Sequence, residues 1–416
     1  MNRSGAKVFK RGGAPNAKWL NVKRLGSNIL PKKPGELSSA KIYHNKRMPR
    51  STLSRWILGL FLIVLLYLVF VLGYGAATDW QPEPETVPLE RPGAEGTVIA
   101  DSLLTLAIWN VGYGGLGAES DFFYDDGGFF FAHGKMIRAD RELVEKNVAG
   151  QSNFAGATPA DFYLLQEVDY DSKRSYGINQ FENFGNQLPG FHGSFAANYR
   201  NDRVPIPIAE PWRAYGYVHS GLATFSDVRP REQIRYQLPG AFGFPTRLFQ
   251  LDRCALLTRY ATRFGPDLVL INVHNSAYDS DGSLKRQQME FLKNLALPEY
   301  EAGNYVVIGG DWNQTPPYFP YQKFMDDPEG DFPQIEVAPD FLPDNWTYAY
   351  DPTRPTNRKT KTPYVEDETF VTLIDFFVVS PNVRVRRVRG VDQKFAFSDH
   401  QPVVLTAELL QPRPRR

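Results

Sequence analysis

Cysteine is all but missing: Cys254 is the only one in 416 residues. That excludes an internal disulfide and any cysteine-rich zinc site. Histidine is scarce too, with six, and no internal repeat of useful period is visible. Disorder through the bulk of the chain is excluded by 42% apolar and 14% aromatic residues. Net charge is nearly absent at +1, from 47 Lys+Arg against 46 Asp+Glu. That balance hides an asymmetry. Residues 1–55 hold 14 bases and one acid, Glu36, which leaves 33 bases against 45 acids, a net of −12, for everything after them.

Charge is missing altogether from residues 56–77, WILGLFLIVLLYLVFVLGYGAA. A helix needs about 20 apolar residues to cross the ~30 Å hydrocarbon layer. Lys46, Arg47, Arg50 and Arg55 precede the run and Asp79 comes just after it. The positive-inside rule then keeps the N-terminus cytoplasmic and translocates the remainder of the chain. A cleaved signal peptide is the first rival reading, but the charged lead and the apolar run are both too long for one. A buried core helix is the second, but a core helix carries a polar stripe and none is present. The expectation is a single-pass signal anchor with an extracytoplasmic domain. Residues 1–55 read as a mostly disordered basic tail, residues 78–97 as a Pro-rich extended spacer, and residues 411–416 as a short tail.

Residues 98–410 alternate short apolar strands with Gly/Pro/Asp loops. Strands are expected at 103–109, 161–166, 221–226, 254–260, 267–273, 305–310, 373–380 and 402–409, and helices at 135–148 and 283–297. Strands outnumber helices, and only some are separated by one, which favours an α/β fold of packed β-sheets over a doubly wound parallel sheet.

Polar residues recur where the apolar strands end: Asn110, Glu167, His274, Asp311 with Asn313, Asp375, and Asp399-His400. Strand ends let a rigid sheet hold side chains into a cleft. Carboxylates and amides without thiolates suit a hard divalent cation, and a carboxylate beside a histidine suits a general base. Singly, each has a bland reading: a turn cap for Asn110, a loop salt bridge for Glu167, a satisfied buried acid for Asp375.

Taken in order, the pieces W-N-V-G, Q-E-V-D, N-V-H, G-G-D-W-N, I-D-F-F and S-D-H-Q-P-V-V closely resemble the endonuclease/exonuclease/phosphatase superfamily, the group with the pancreatic-deoxyribonuclease fold. The resemblance spans residues 103 to about 408. It implies two β-sheets packed face to face with helices outside, a site at one edge, and cleavage of a P–O bond dependent on Mg²⁺ or Mn²⁺. It further implies Glu167 as the principal metal ligand with Asn110 and Asp399 nearby. His400 would be the base or phosphate-polarising histidine, and Asp375 would orient it. Asp311 would position water, Asn313 would hold a phosphate oxygen, and His274 would lie on the leaving-group side. Asn198 and Tyr199 fall where the family often contacts phosphate.

The expected partner is a phosphodiester, either nucleic acid or a phospholipid or sphingomyelin headgroup, and no obligate protein partner is expected. A nuclease needs cations along the strand, and Lys173, Arg174, Arg200, Arg203 and Arg213 are the available patch. Arg174 is expected to pair at the surface with Asp169 or Asp171. The aromatic insertion at 112–135 begins at the cleft rim, with Asp125, Asp126 or His133 able to meet a second cation, or else packs on the sandwich edge. The rival to an enzyme is a catalytically inactive, membrane-tethered binding module on the same fold.

Overall fold

The computed structural model describes residues 50–277, 279, 281–327 and 335–411. The basic tail at 1–49 and residues 412–416 lie outside the described residues. The chain divides into two units, residues 1–60 and 61–416. Helix α1, Arg50–Ala77, contains a stretch, Ser51–Ala77, that is long and apolar enough to cross a bilayer.

The second unit is built on two mixed sheets. The eight-stranded sheet runs Glu85–Thr86, Glu232–Gln237, Cys254–Thr262, Leu268–His274, Tyr305–Asp311, Asp375–Val379, Thr347–Ala349, with Val98–Ile99 added beside Cys254–Thr262. The seven-stranded sheet runs Val383–Gly390, Val403–Leu409, Leu103–Asn110, Phe162–Asp169, Gly216–Ser226, His192–Val204, Leu89–Arg91. Each sheet has one parallel pair among its inner strands: Leu268–His274 beside Tyr305–Asp311, and Leu103–Asn110 beside Phe162–Asp169.

Period-two alternation explains the layers. Leu104, Leu106, Ile108, Phe162, Leu164, Leu268, Leu270, Tyr305, Val307, Phe377 and Val379 form the core between the sheets. The alternate residues Val269, Ile271, Val306 and Ile308 turn outward onto Leu292 and Ala296 of helix α4, Ser283–Glu301. On the other sheet Trp109, Tyr163 and Leu165 turn outward onto Ala155 of helix α2, Arg141–Ala157, and onto Phe181 and Phe184 of helix α3, Gln180–Gln187. Helix, sheet, sheet and helix make the four layers of the expected α/β sandwich. Each buried Leu, Ile or Phe contributes roughly 1.5–3 kcal/mol by leaving water.

Several boundaries differ from expectation. The helix expected at 135–148 begins only at Arg141, because Ile137 and Ala139 are buried at strand-like spacing and Arg138 donates to the carbonyl of Ala214. His192–Val204, 13 residues long, was not expected as a strand. Its HGSFAANYRND stretch lacks β-branched residues and is held by pairing with Gly216–Ser226. The Pro-rich stretch is extended, as expected, yet its segments Glu85–Thr86 and Leu89–Arg91 pair onto an edge of each sheet.

Candidate active site

Parity delivers the site. Asn110 continues the inward series Leu104, Leu106, Ile108. His274 continues Leu268, Leu270, Asn272; Asp311 continues Tyr305, Val307; and Asp375 precedes Phe377 and Val379. All four therefore face the space between the sheets, at the ends where the two parallel pairs finish. Register confirms the row: His274 lies opposite Asp311, and Asp311 opposite Asp375. His400 immediately precedes Val403–Leu409, whose Val403 pairs with Ile108, so it arrives at the same edge.

Glu167 breaks the alternation, and the backbone bends to bring it in. The register shifts between Leu165 and Val168, and Glu167 itself has φ 54°. A bulge plus a left-handed non-glycine residue re-aims a side chain at a cost of order 1–3 kcal/mol. Asn313 is also left-handed, at φ 50°. Gly310 is required for a related reason: at φ 147°, an added Cβ would lie 2.0 Å from the carbonyl oxygen of Val273.

The motif's other letters secure this edge. The Trp109 indole donates to the carbonyl of His400 at 2.9 Å, and Ser398 Oγ donates to the carbonyl of Asn110 at 2.8 Å. Trp312 donates to Phe376 O at 2.9 Å and stacks on the Phe376 ring with centroids 5.0 Å apart. Beneath them Gln166 Nε2 donates to Asn272 Oδ1 at 2.7 Å, across the two sheets.

His400 Nδ1 lies 2.9 Å from Asp375 Oδ2, and Nε2 lies 3.6 Å from Asp311 Oδ2. Burial works against a charge on His400, but Asp375, Asp311 and Asp399 overcome it and hold its pKa well above that of ordinary imidazole. Burial pushes Asp375 up to about 6 against the pull of His400. His274 Nε2 is 3.3 Å from Asp311 Oδ2 and 3.8 Å from Glu167 Oε1. Burial, Arg253, His400 and Arg174 drive its pKa well below the usual value. The two histidines therefore differ: the carboxylates around His400 favour its charged form, and burial disfavours that of His274.

The Asn110 amide nitrogen is 3.0 Å from Asp311 Oδ2 and 3.3 Å from Glu167 Oε1, while its oxygen accepts from Gly112 N at 3.0 Å. That last bond turns nitrogen, not oxygen, toward the carboxylates. Burial and the charge of Glu167 push Asp399 up to about 7, with His400 and Arg358 pulling the other way. Two crowded carboxylates with oxygen donors and no thiolate fit a hard divalent cation, which would relieve their repulsion. Asp311, Asp375 and His400 also place ligand atoms within 4.8 Å of one another. Because His400 already commits Nδ1 to Asp375, that group suits proton handling, and the Glu167–Asp399 side suits the cation.

All eight residues expected at the catalytic and metal positions, with Asn198 and Tyr199, come to one edge. Most line a cavity of about 410 Å³ there. Tyr199 directs its hydroxyl to Phe249 O at 2.9 Å, and Asn198 is buried. Asn313 donates from its amide to Asn275 O at 2.9 Å. Leu116, Phe122, Phe123 and Tyr124 of the aromatic insertion form one wall against Val204, Ile206 and Leu251, so the insertion shapes the cleft. His133 is exposed and does not line the cavity. Asp125 does, and it engages the Thr360 hydroxyl; the side chain of Asp126 is outside the described residues.

The surface pairing expected for Arg174 is corrected. It does pair with Asp169, at 2.7 Å, but both side chains are buried. Its guanidinium lies 3.8 Å from the Tyr113 ring centroid and donates to Tyr215 Oη at 3.0 Å. Arg174 therefore anchors the insertion and is withdrawn from any surface patch.

Several cavity residues escaped the sequence reading, among them Arg253, Arg358, Lys359, Asn357 and Lys285. Asn357 places its amide 3.0 Å from His400 Nε2, and nothing in T-N-R-K-T-K-T marks it. Lys285 is buried and lines the cavity. Burial lowers its pKa, while Asp279 and Asp311 oppose that. Its signal was present, since a lysine stands on the same helical face as Gln288, Met289 and Leu292.

Two mixed sheets packed face to face between helices, with polar strand ends converging at one rim, define a four-layer α/β sandwich. The chain belongs to the Endonuclease/Exonuclease/phosphatase family, whose profile matches residues 108–400, and that family comprises hydrolases acting on phosphoesters. Among curated proteins, none matches the chain in sequence. Several solved structures are similar to the chain at low identity. An endonuclease/exonuclease/phosphatase from Beutenbergia cavernae is 16% identical with TM-score 0.48, covering 74% of this chain and 72% of that one. ANGEL2, a 2′,3′-cyclic phosphatase, in complex with adenosine-2′,3′-vanadate, is 14% identical with TM-score 0.47, covering 74% and 96%. The human Nocturnin catalytic domain with bound sulfate is 16% identical with TM-score 0.44, covering 74% and 93%.

Proposed function

We propose that this chain is a membrane-anchored phosphodiesterase dependent on Mg²⁺ or Mn²⁺. The observation that carries the reading is the geometry around Asp311: His274 Nε2 at 3.3 Å, His400 Nε2 at 3.6 Å with its Nδ1 on Asp375, and the Asn110 amide at 3.0 Å. Glu167 and Asp399 would hold the cation, with Asn110 joining them if its amide turns. When bound, the cation neutralises charge growing on the non-bridging oxygens. His400, backed by Asp375, presents Nε2 to a phosphoryl oxygen and stabilises the pentavalent state. Asp311 orients the attacking water and accepts its proton, since it sits between both histidines. Asn313 holds a further phosphate oxygen, and His274 Nε2 stands on the leaving-group side.

The substrate fits best as a phosphodiester with an apolar portion, as in a lipid headgroup ester, lying along Phe122, Phe123, Tyr124 and Ile206. A nucleic acid strand suits the site less. Arg174 is committed to Asp169; Arg253, Lys285, Arg358 and Lys359 line the cavity, but the net of −12 after residue 55 offers little counter-charge to phosphates beyond it. An N-terminus in the cytoplasm and a translocated domain are the topology that the charge flanking the helix supports.

Hydrolysis of bis-p-nitrophenyl phosphate tests the reaction. Mg²⁺- or Mn²⁺-dependent turnover is expected, abolished in His400→Ala and Asp311→Ala proteins that keep the wild-type circular dichroism. Absence of turnover with either metal would favour the inactive tethered module. Preference for single-stranded DNA or RNA over lysophospholipid and sphingomyelin would overturn the lipid assignment alone.

A further inference from the structure

The insertion that walls the cavity has a second half with no role in it. Phe129, Phe130 and Phe131 are 41%, 59% and 51% exposed, and nearby Trp212 is 76% exposed. Four large aromatics standing in water are costly, and such patches mark an interaction surface. They form one surface by backbone pairing: Ile208 N donates to Phe129 O and Ala209 N to Phe130 O, each at 3.0 Å. Ile208 leads through Pro211–Arg213 to Trp212.

This surface adjoins the apolar helix. The Tyr67 hydroxyl donates to Ile208 O at 3.2 Å, the same residue whose N–H holds Phe129. Tyr67, Val71 and Gly75, four residues apart, form the stripe that is less exposed than the turns before it. A Cβ on Gly75 would lie 2.8 Å from the ring of Phe249, and Phe249 lines the cavity. Apolar surface therefore runs from the helix to the aromatic lobe and to the cavity wall.

Helix length fixes what could cover that lobe. Twenty-eight residues rise about 42 Å, some 12 Å more than the hydrocarbon layer. The charge-free run opens at Trp56, so about 20 residues of hydrocarbon put Ala76 at the outer boundary and Tyr67 roughly 13 Å inside it. Phe129–Phe131, tied to Tyr67 through Ile208, would then lie within the outer leaflet, below the headgroup level where interfacial aromatics collect. We propose that Phe129, Phe130, Phe131 and Trp212 form a platform seated in the outer leaflet of the bilayer beside the anchor helix. The platform stands independently of the catalytic reading, since none of its four residues lines the cavity. It deepens that reading by setting the cavity at the surface where lipid phosphodiesters reside.

The single native cysteine, Cys254, is buried, so an introduced one can be labelled selectively. Full-length Phe130→Cys and Trp212→Cys proteins, carrying an NBD fluorophore, are placed in nanodiscs of phosphatidylcholine and phosphatidylglycerol at four to one. Arg387→Cys, on the opposite edge of the seven-stranded sheet, serves as the water-facing reference. The platform predicts blue-shifted emission at 130 and 212, at least about threefold protection from iodide relative to 387, and quenching by doxyl-labelled lipid. Emission and iodide access equal to those at 387 would overturn it. Protection that vanishes when each disc holds one copy would also overturn it, because the lobe would then be a contact between two chains. Hydrolysis enters neither readout, so an inactive enzyme with a buried platform, or the reverse, separates the two readings.

Discussion

Glu167 shows how one residue is placed against its strand's own alternation. It is brought to the rim by a register shift and a φ of 54°, strain that persists because Asn110 and His274 surround it. Glu167→Gln keeps the shape and removes the charge, so turnover should fall ~10²–10⁴-fold with an unchanged melting temperature. Steady-state rates beside a thermal melt check this. Away from the site, burial and the neighbouring Asp79 push Asp252 up to about 6 while Arg235 and Arg247 oppose. Well below its ordinary value of 3.8 the group is protonated in both folded and unfolded chains. As pH rises through 4 toward 6 the unfolded chain loses its proton first, so folded stability falls and stays lower above 6. Asp252→Asn should accordingly raise the melting temperature at pH 8 and by much less at pH 4. An equal gain at both pH values would refute this account.

Among the elements, the eight strands expected from the sequence and helix α4 were legible because their apolar runs end in Gly, Pro, Asp or other polar residues. His192–Val204 was not legible, since its own side chains give no strand pattern and its neighbour supplies the pairing; nor were Glu232–Gln237 and Val383–Gly390. The site was legible as an ordered set of letters at strand ends. Asn357 and Arg174 were not, since their roles arise from loops meeting in space. Two changes probe this scale. Gly310→Ala forces a Cβ against the Val273 carbonyl in a backbone region that only glycine visits cheaply. A loss of about 3 kcal/mol or more is expected in urea unfolding. Arg174→Met leaves Asp169 buried without its partner, for which about 3–5 kcal/mol is the expected cost. It also frees Tyr113, so protease nicking within residues 112–135 should accelerate.

For the molecule as a whole, the candidate site exists only where two sheets meet. Asn110 and Glu167 come from one, while His274, Asp311 and Asp375 come from the other. The hydrogen bond from Gln166 to Asn272 crosses between them inside an otherwise apolar core. The Asn272 amide also donates to the carbonyls of Leu165 at 3.2 Å and Ala223 at 3.0 Å, so replacing both residues by leucine strands buried acceptors at about 1–3 kcal/mol each. The double variant Gln166→Leu/Asn272→Leu should therefore melt several degrees below wild type. Assayed well below that melting point, its turnover should drop about tenfold or more, because near-attack geometry tolerates little displacement. Equal turnover would show that apolar packing alone aligns the halves.

That buried pair has a consequence for how the fold can vary. Leucine against leucine can slide, but an amide wedged between two greasy slabs tolerates one position only. It works as an alignment pin: the outer loops and edge strands are free to drift in sequence and length, while the slabs stay locked at the offset that keeps the opposing side chains in reach of one another.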